Sequence, residues 1–369
     1  MLNKKIIEFE NLSKLNYKFN KTFIKRISNS KNIKSYILGK NLNIFEKNFA
    51  LYLQTNKKVI GVANGTDALT ISLKSIQNKI KNENKNEIIV AANSYYASIL
   101  SIINAGYKPI LVEPNFHSYN INEDLIENKI TKKTAGIMAV HMYGKSCNLN
   151  KIYSICKKYR ISLIEDCAQS HGAKIGKKFT GTFGDYGCFS FYPTKHLGCL
   201  GDGGAILVNK KDEINIKKMR NYGSILRYKN DILGVNSRLD EIQSIFLNIK
   251  LKSLDKIIKK KRLLANLYFE RLKSDYILPI IEKDKFDVYY TFNIRHPRRD
   301  KLKKYLFKNN IMTDIHYPLP AYKQKALKNF FTEKYQISDE IHKTILSLPI
   351  SFNNTENQIK KICNIMNKF

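Results

Sequence analysis

Residues 136–167 read GIMAVHMYGKSCNLNKIYSICKKYRISLIEDC. Two short apolar runs, GIMAVHM (136–142) and ISLIEDC (161–167), enclose LNKIYSICKKYR (149–160), whose apolar residues recur at helical spacing. Runs of this kind, apolar on both faces and bounded by breakers, suit strands buried inside a sheet. Strand, helix and strand in roughly 30 residues form a parallel crossover unit. The pattern repeats outward. EIIVAA (87–92), PILVEP (109–114), GCFSFY (187–192) and AILVN (205–209) predict further buried strands, and DALTISLKSI after Gly65 and YYASILSIINAG predict helices between them. The expected class is α/β, a mostly parallel sheet covered by helices.

From about residue 237 the periodicity changes. RLDEIQSIFLNIKLKSLDKIIKKKRLLANLYFERLK (238–273) predicts one long connecting helix, YYTFNIR (289–295) a strand, and 300–310, 336–346 and 355–367 further helices. This divides the chain into a large α/β domain over residues 1–245 and a smaller C-terminal α+β domain over 246–369.

With 369 residues and 43% hydrophobic content, the chain can bury a full core. MLNKKIIEFENLSKLNYKF lacks the apolar centre of a signal peptide, and no run reaches the roughly 18 apolar residues of a membrane span. The six cysteines show neither a CxxC pair nor metal-type spacing, so reduced thiols, no metal and a cytoplasmic location are expected. The net charge of +33 invites a nucleic-acid partner. Its lysines, however, are scattered in pairs along the chain, with no zinc finger, RNP-type motif or basic zipper, and abundant Asn and Ile point to compositional bias. The expectation is therefore no nucleic-acid and no membrane partner, although an acidic substrate such as a nucleotide diphosphate would profit from the field.

In open α/β sheets ligands gather at the carboxyl ends of the strands, and four polar clusters fall there. In GVANGTDALTISL (61–73), Gly65 and Thr66 precede a helix whose free N–H groups suit an anion, although plain N-capping by Asn64 or Thr66 explains the same residues. In ISLIEDCAQSHGA (161–173), Asp166 ends a buried strand, where it suits a protonated ring nitrogen or a structural ion pair, with Gln169 nearby and His171 better read as structural. Ser190 and Tyr192 end another strand in GCFSFYPTKHLGCLGDGGA (187–205), and Lys195 follows in a turn. That lysine is either a reactive amine in an apolar pocket or one more surface charge. Tyr95 or Tyr96, in AANSYYASILS (91–101), could stack on a planar ring or pack in the core. A phosphate cradle, an acid for a ring nitrogen, an aromatic lid and an amine together meet the requirements of pyridoxal 5′-phosphate.

These segments, with SYILGKNLNIFEKNFALY (35–52), VHMYGKSCNL (140–149), RNYG (220–223), GVNSRLDEIQ (234–243), IHYPLP (315–320) and LSLPIS (346–351), resemble the DegT/DnrJ/EryC/StrS family of sugar aminotransferases along nearly the whole chain. The resemblance implies the type I aminotransferase fold and pyridoxal phosphate bound covalently to Lys195. It further implies Asp166 at the pyridine nitrogen, Gln169 at the ring hydroxyl, Tyr95 stacked on the ring, and Gly65, Thr66 and Ser190 at the phosphate. Asn236 would reach the phosphate of a partner subunit in a homodimer. Tyr192, His316 and Tyr317, and more remotely Tyr36, would lie near a nucleotide-linked keto sugar, with glutamate as amino donor. The tail LGCLGDGGA resembles members that aminate C3 of a dTDP-linked 3-keto-6-deoxyhexose, whereas those acting on UDP-4-keto sugars tend to carry TT-x-x-GG there; 4-amination is the alternative. Members with His in place of the lysine are dehydratases, but FYPTK fixes Lys195 in register, with His196 as its neighbour. Lys145, Ala91 and Tyr222 depart from the family's usual Gln, Pro and His, and are expected to bear on substrate choice.

Overall fold

The computed structural model describes residues 6–29, 35–79 and 84–369. Helices α1 (Leu12–Ile27) and α2 (Lys40–Tyr52) precede β1 (Lys58–Val62), α3 (Gly65–Lys79), β2 (Glu87–Ala91), α4 (Tyr96–Asn104) and β3 (Lys108–Val112). Next come β4 (Thr134–Val140), α5 (Leu149–Tyr159), β5 (Ser162–Asp166), β6 (Tyr186–Ser190), β7 (Gly204–Val208) and α6 (Glu213–Met219). The chain continues through α7 (Glu241–Leu251), α8 (Leu254–Arg271), β8 (Phe292–Arg295), α9 (Arg299–Lys308), α10 (Gln336–Thr344), β9 (Ile345–Leu348) and α11 (Glu356–Met366).

Strands β1 to β7 make one sheet in the order β1-β7-β6-β5-β4-β2-β3. From β6 to β3 every pairing is parallel, while β7 runs antiparallel to both β1 and β6. The carboxyl ends of β1, β2, β4, β5 and β6 therefore share one edge. All six runs expected to be strands within the large sheet are strands; β1 was not anticipated, because KVIGV carries a lysine and a glycine among few apolar residues.

Alternation along each strand sends successive side chains to opposite faces. Ile88, Val90, Met138, Val140 and Ile164 pack with α3 and α4 residues such as Leu69, Leu73, Ile99 and Ile102 on one face. Ile89, Ala91, Ile137, Ala139 and Leu163 meet Leu149, Ile152 and Ile155 of α5 on the other. Further along that second face, Phe189 and Phe191 contact Phe45 and Phe49 of α2 edge-on, at 5.0–5.6 Å between ring centroids. Fully burying a phenylalanine contributes roughly 1.5–3 kcal/mol, so these rings anchor the segment that carries Ser190 and leads to Lys195.

The expected single helix over 238–273 is two helices, broken at Lys252–Ser253. Ser253, with φ −108° and ψ 2°, leaves the helical region, and Asp255 opens α8 in the turn where an acid is favoured. The bend allows α7 to pack Phe246 against Phe19 and Phe23 of α1, while α8 enters a separate core with β8, β9, α9 and α11. Ile345–Leu348, partly expected as helix, instead pairs antiparallel with β8.

Candidate active site

A cavity of about 500 Å³ opens at the shared carboxyl edge of the sheet. Gly65, Thr66, Tyr95, Asp166, Gln169, Ser190, Tyr192, Lys195, His316 and Tyr317 line it together. Tyr36, two-thirds exposed, and the exposed Asn236 are not part of this lining.

Glycine at 65 is a steric necessity: a Cβ there would stand 2.6 Å from the Cβ of Ser190. Gly65 and Thr66 begin α3, where the first N–H groups lack intrahelical partners. Asn64 does cap the helix, its Oδ1 accepting the Asp67 N–H at 2.8 Å, yet this leaves the preceding N–H groups available to an anion. Asp67 and the Ala63 N–H are both tied to the Ser237 hydroxyl, at 2.6 and 3.0 Å, which fixes the helix start against the 234–240 loop.

The two acids ending β5 face opposite ways, as strand alternation requires. Glu165 turns inward and accepts the N–H groups of Gly181, Phe183 and Gly184 at 2.6–2.8 Å. His141 receives the Cys147 N–H on Nδ1 at 3.1 Å and places Nε2 at 3.3 Å from Glu165, a donor–acceptor pattern that defines a neutral ring donating to the carboxylate. The buried group His141, Glu165 and Cys167 has metal-type chemistry, but the lone pairs of Glu165 are already committed. Asp166 turns to the cavity and accepts the Ser98 hydroxyl at 2.8 Å and the Ala168 N–H at 3.1 Å. Burial pushes its carboxyl above the ordinary value, while these two donors and the charge of Lys195 pull it back.

Lys195 lies in a turn, its N–H donating to the Tyr192 carbonyl at 2.8 Å. Its Nζ stands 4.2 Å from the centre of the Tyr290 ring, and the Tyr290 hydroxyl pairs with Thr194 Oγ1 at 2.8 Å. Two buried lysines hold the surrounding backbone. Lys250 Nζ donates to Gly198 O at 3.0 Å and Lys261 Nζ to Tyr290 O at 2.8 Å. Burial drives both ammonium groups down to about 8. His196 is buried and bonded to Val288 O at 3.0 Å, its imidazole held well below the usual range by burial, so it is a neutral neighbour of the site. His171, between Phe189 and Phe191, is pushed down to about 3 by burial and by Lys195 and is likewise neutral and structural.

Gln169 is held at both ends. Its Oε1 accepts the Tyr143 N–H at 2.6 Å and its Nε2 donates to the Tyr317 hydroxyl at 2.9 Å. Tyr317 lies 4.7 Å from Tyr95 between ring centres, and the Tyr143 hydroxyl donates to His316 O at 2.6 Å. Tyr143 does this from a left-handed backbone conformation, φ 60°.

Sequence reading missed Phe9, Glu10, Ser98, His141, Tyr143, Asp202, Tyr290, Thr291 and Asp314, all in or against the cavity. Ser98, His141, Tyr143 and Asp202 lie inside motif segments quoted above, and Asp314 directly precedes IHYPLP, so those motifs could have announced them, whereas Phe9, Glu10, Tyr290 and Thr291 had no such signal. The three departures expected to affect substrate choice lie outside the cavity lining. Lys145 forms a buried ion pair with Asp287 at 2.6 Å, Ala91 is buried at the end of β2, and Tyr222 is half exposed on a turn. The reason is register: Lys145 points into the seam between the β4 loop and residues 280–287, where its Nζ also meets Ile280 O at 2.7 Å.

The profile of the DegT/DnrJ/EryC1/StrS aminotransferase family matches residues 18–367. The chain is 42% identical over 368 residues, 99% of both sequences, to the dTDP-3-amino-3,6-dideoxy-alpha-D-galactopyranose transaminase of Aneurinibacillus thermoaerophilus. It is 33% identical over 320 residues, 85% of this chain and 83% of the relative, to the dTDP-3-amino-3,4,6-trideoxy-alpha-D-glucose transaminase of Streptomyces venezuelae. Among solved structures, S. venezuelae DesV in complex with a ketimine intermediate superposes with a TM-score of 0.94 at 30% identity, over 99% of this chain and 98% of that one.

Proposed function

We propose, from the premise that this chain belongs to the DegT/DnrJ/EryC1/StrS aminotransferase family, that it is a pyridoxal-phosphate-dependent transaminase. In this reading it moves the amino group of glutamate onto C3 of a dTDP-linked 3-keto-6-deoxyhexose, giving dTDP-3-amino-3,6-dideoxyhexose and 2-oxoglutarate. The carrying observation is that Lys195 and Asp166, from separate segments, meet in one cavity whose wall also holds the Gly65–Ser190 cradle.

The residues present fit the cofactor. Its phosphate is an anion for the first N–H groups of α3 and the hydroxyls of Thr66 and Ser190. Its ring nitrogen, when protonated, is the partner that the buried Asp166 carboxylate calls for. Tyr95 would stack on the ring and Gln169, already aimed by Tyr143 and Tyr317, would bond its hydroxyl. When bound, the cofactor supplies an electron sink that acidifies the Cα–H of the amino donor.

The rest is done by side chains. Lys195 tethers the cofactor; its amine, once displaced, is the base that removes the proton from Cα of glutamate. In the second half-reaction it returns a proton to C3 of the sugar. Asp166 holds the ring nitrogen protonated throughout. His316 bonds Ser347 Oγ at 2.8 Å and so stands fixed at the sugar end with Tyr317, while the exposed Tyr192 borders the opening. Asn236 follows a loop that exposes Tyr228 and Leu233, which suits contact with a second copy, and we assign it to the phosphate of the partner's site in a homodimer. Tyr36 would also come to the site through that assembly. We propose that the two domains meet near the expected 245/246 boundary, at the break between α7 and α8, beyond which α8 joins the C-terminal core.

The test combines attachment and specificity. Borohydride reduction of the yellow protein should fix the cofactor on Lys195 by peptide mapping, and Lys195→Ala should abolish glutamate-dependent amination. Given dTDP- and UDP-linked 3-keto and 4-keto sugars, the enzyme should aminate the dTDP-linked 3-keto sugar, read by product mass and sugar NMR. Label on another lysine, or amination at C4, overturns the corresponding part.

A further inference from the structure

Residues 6–11 form a strap that crosses the C-terminal core before α1 begins. Ile7 bridges Ile311, its N–H donating to Asn310 O at 2.8 Å and its carbonyl accepting the Met312 N–H at 3.0 Å. Asn354 Nδ2 reaches Glu8 O at 3.4 Å and Asn353 Nδ2 reaches Asn11 O at 3.0 Å. The strap is thus pinned at both ends, and its middle enters the cavity. Phe9 stacks on His316 with 5.8 Å between ring centres, and Glu10 lines the same wall as Lys195. Glu10 is held in place without being used up. Its Oε1 accepts the Asn11 N–H at 3.1 Å and the Ser351 hydroxyl at 2.5 Å, and among the described residues Oε2 has no hydrogen bond. The buried ammonium groups of Lys250 and Lys261 feel its charge, yet their hydrogen bonds go to backbone carbonyls.

A half-buried carboxylate with a fixed orientation and a free oxygen, facing a cavity that takes a sugar, is an acceptor for a sugar hydroxyl. We propose that Glu10 is a specificity-determining residue, accepting the ring hydroxyl at C4, next to the carbon that receives nitrogen, so that the enzyme selects 3-keto-6-deoxyhexoses over 3-keto-4,6-dideoxyhexoses. The inference rests on the sugar aminotransferase reading above. The sugars named for the two relatives differ in having or lacking oxygen at C4, so a transaminase of this kind meets a real choice there. Sites built to bond a hydroxyl reject analogues that lack it far more strongly than apolar sites reject an extra methylene.

The experiment compares kcat/KM for dTDP-linked 3-keto-6-deoxyhexose and its 4-deoxy counterpart, with wild type and Glu10→Gln. Wild type should favour the 4-hydroxy sugar by about ten- to a hundredfold, the range expected for one hydrogen bond to a charged group. Glu10→Gln should lose most of that preference through a rise in KM for the 4-hydroxy sugar that exceeds any change in its kcat. Equal turnover of both sugars by the wild type, or an unchanged preference in Glu10→Gln, overturns the proposal. The wild-type comparison decides even where the variant misfolds. Failure to aminate either sugar would instead count against the proposed activity.

Discussion

At the scale of single residues, Tyr143 does more than fill space. Non-glycine residues at positive φ cost energy and persist where surrounding contacts over-determine them. Tyr143 sits at φ 60° and commits its N–H to Gln169 and its hydroxyl to His316 O, while its carbonyl accepts the Tyr290 N–H at 2.9 Å. Through Gln169 and Tyr317 these bonds close a ring that joins the β5 end to the His316–Tyr317 segment. Tyr143→Phe keeps the N–H and removes the hydroxyl, leaving the His316 carbonyl short of a donor, at a cost of about 1 kcal/mol. The expected result is a several-fold rise in KM for the keto sugar with little change in the amino-donor half-reaction. A kcat loss shared equally by both half-reactions would show that the hydroxyl supports the fold and does not position the sugar end.

At the scale of elements, the start of α3 is held by sterics as much as by hydrogen bonds. Gly65→Ala would drive a methyl into Ser190, whose backbone is anchored by Phe189 and Phe191 in the aromatic layer beneath, so neither side yields readily. Cofactor affinity should fall at least tenfold in dialysis against added pyridoxal phosphate, with secondary structure unchanged by circular dichroism; undiminished affinity would place the phosphate elsewhere. This junction also marks what the sequence could tell. GVANGT and GCFSFY each announce a strand end or helix start locally, but only the sheet order, with β7 between β1 and β6, shows that Gly65 and Ser190 touch. The parallel strands were legible because burial on both faces writes an unbroken apolar run. The break at Ser253 was not, since apolar spacing continues straight through it, and β9 was missed because ILSL follows α10 with no breaker between them. Phe9, Glu10 and Tyr290 come from parts of the chain far from any motif, so their presence in the cavity is a property of the C-terminal core's packing against the sheet.

At the scale of the whole molecule, stability should depend on pH in a way that two buried lysines make specific. Lys250 and Lys261 lie near 8 in the folded protein because burial disfavours their charge, whereas in the unfolded chain a lysine titrates near 10.4. Below pH 8 both are charged in either state, and the cost of holding them buried is present in full. Between about pH 8 and 10 the folded state gives up these protons while the unfolded chain still holds them, so stability rises with pH, by at most ~1.4 kcal/mol per pH unit for each lysine. Above that range the buried tyrosines Tyr143, Tyr268 and Tyr317, all pushed up by burial, act in the opposite sense, because the unfolded chain ionises them first. The net charge of +33 adds a general relief of repulsion with the same sign as the lysines, so the wild-type slope alone does not separate them. Lys261→Met does: it removes one buried charge and leaves the rest of the surface alone. Urea unfolding midpoints should climb from pH 8 to 9.5 in the wild type, and the variant should show a shallower climb together with a higher midpoint at pH 7. A slope identical in both proteins would mean that Lys261 keeps its ordinary proton affinity in the fold, with enough water or counter-charge around Tyr290 to solvate it.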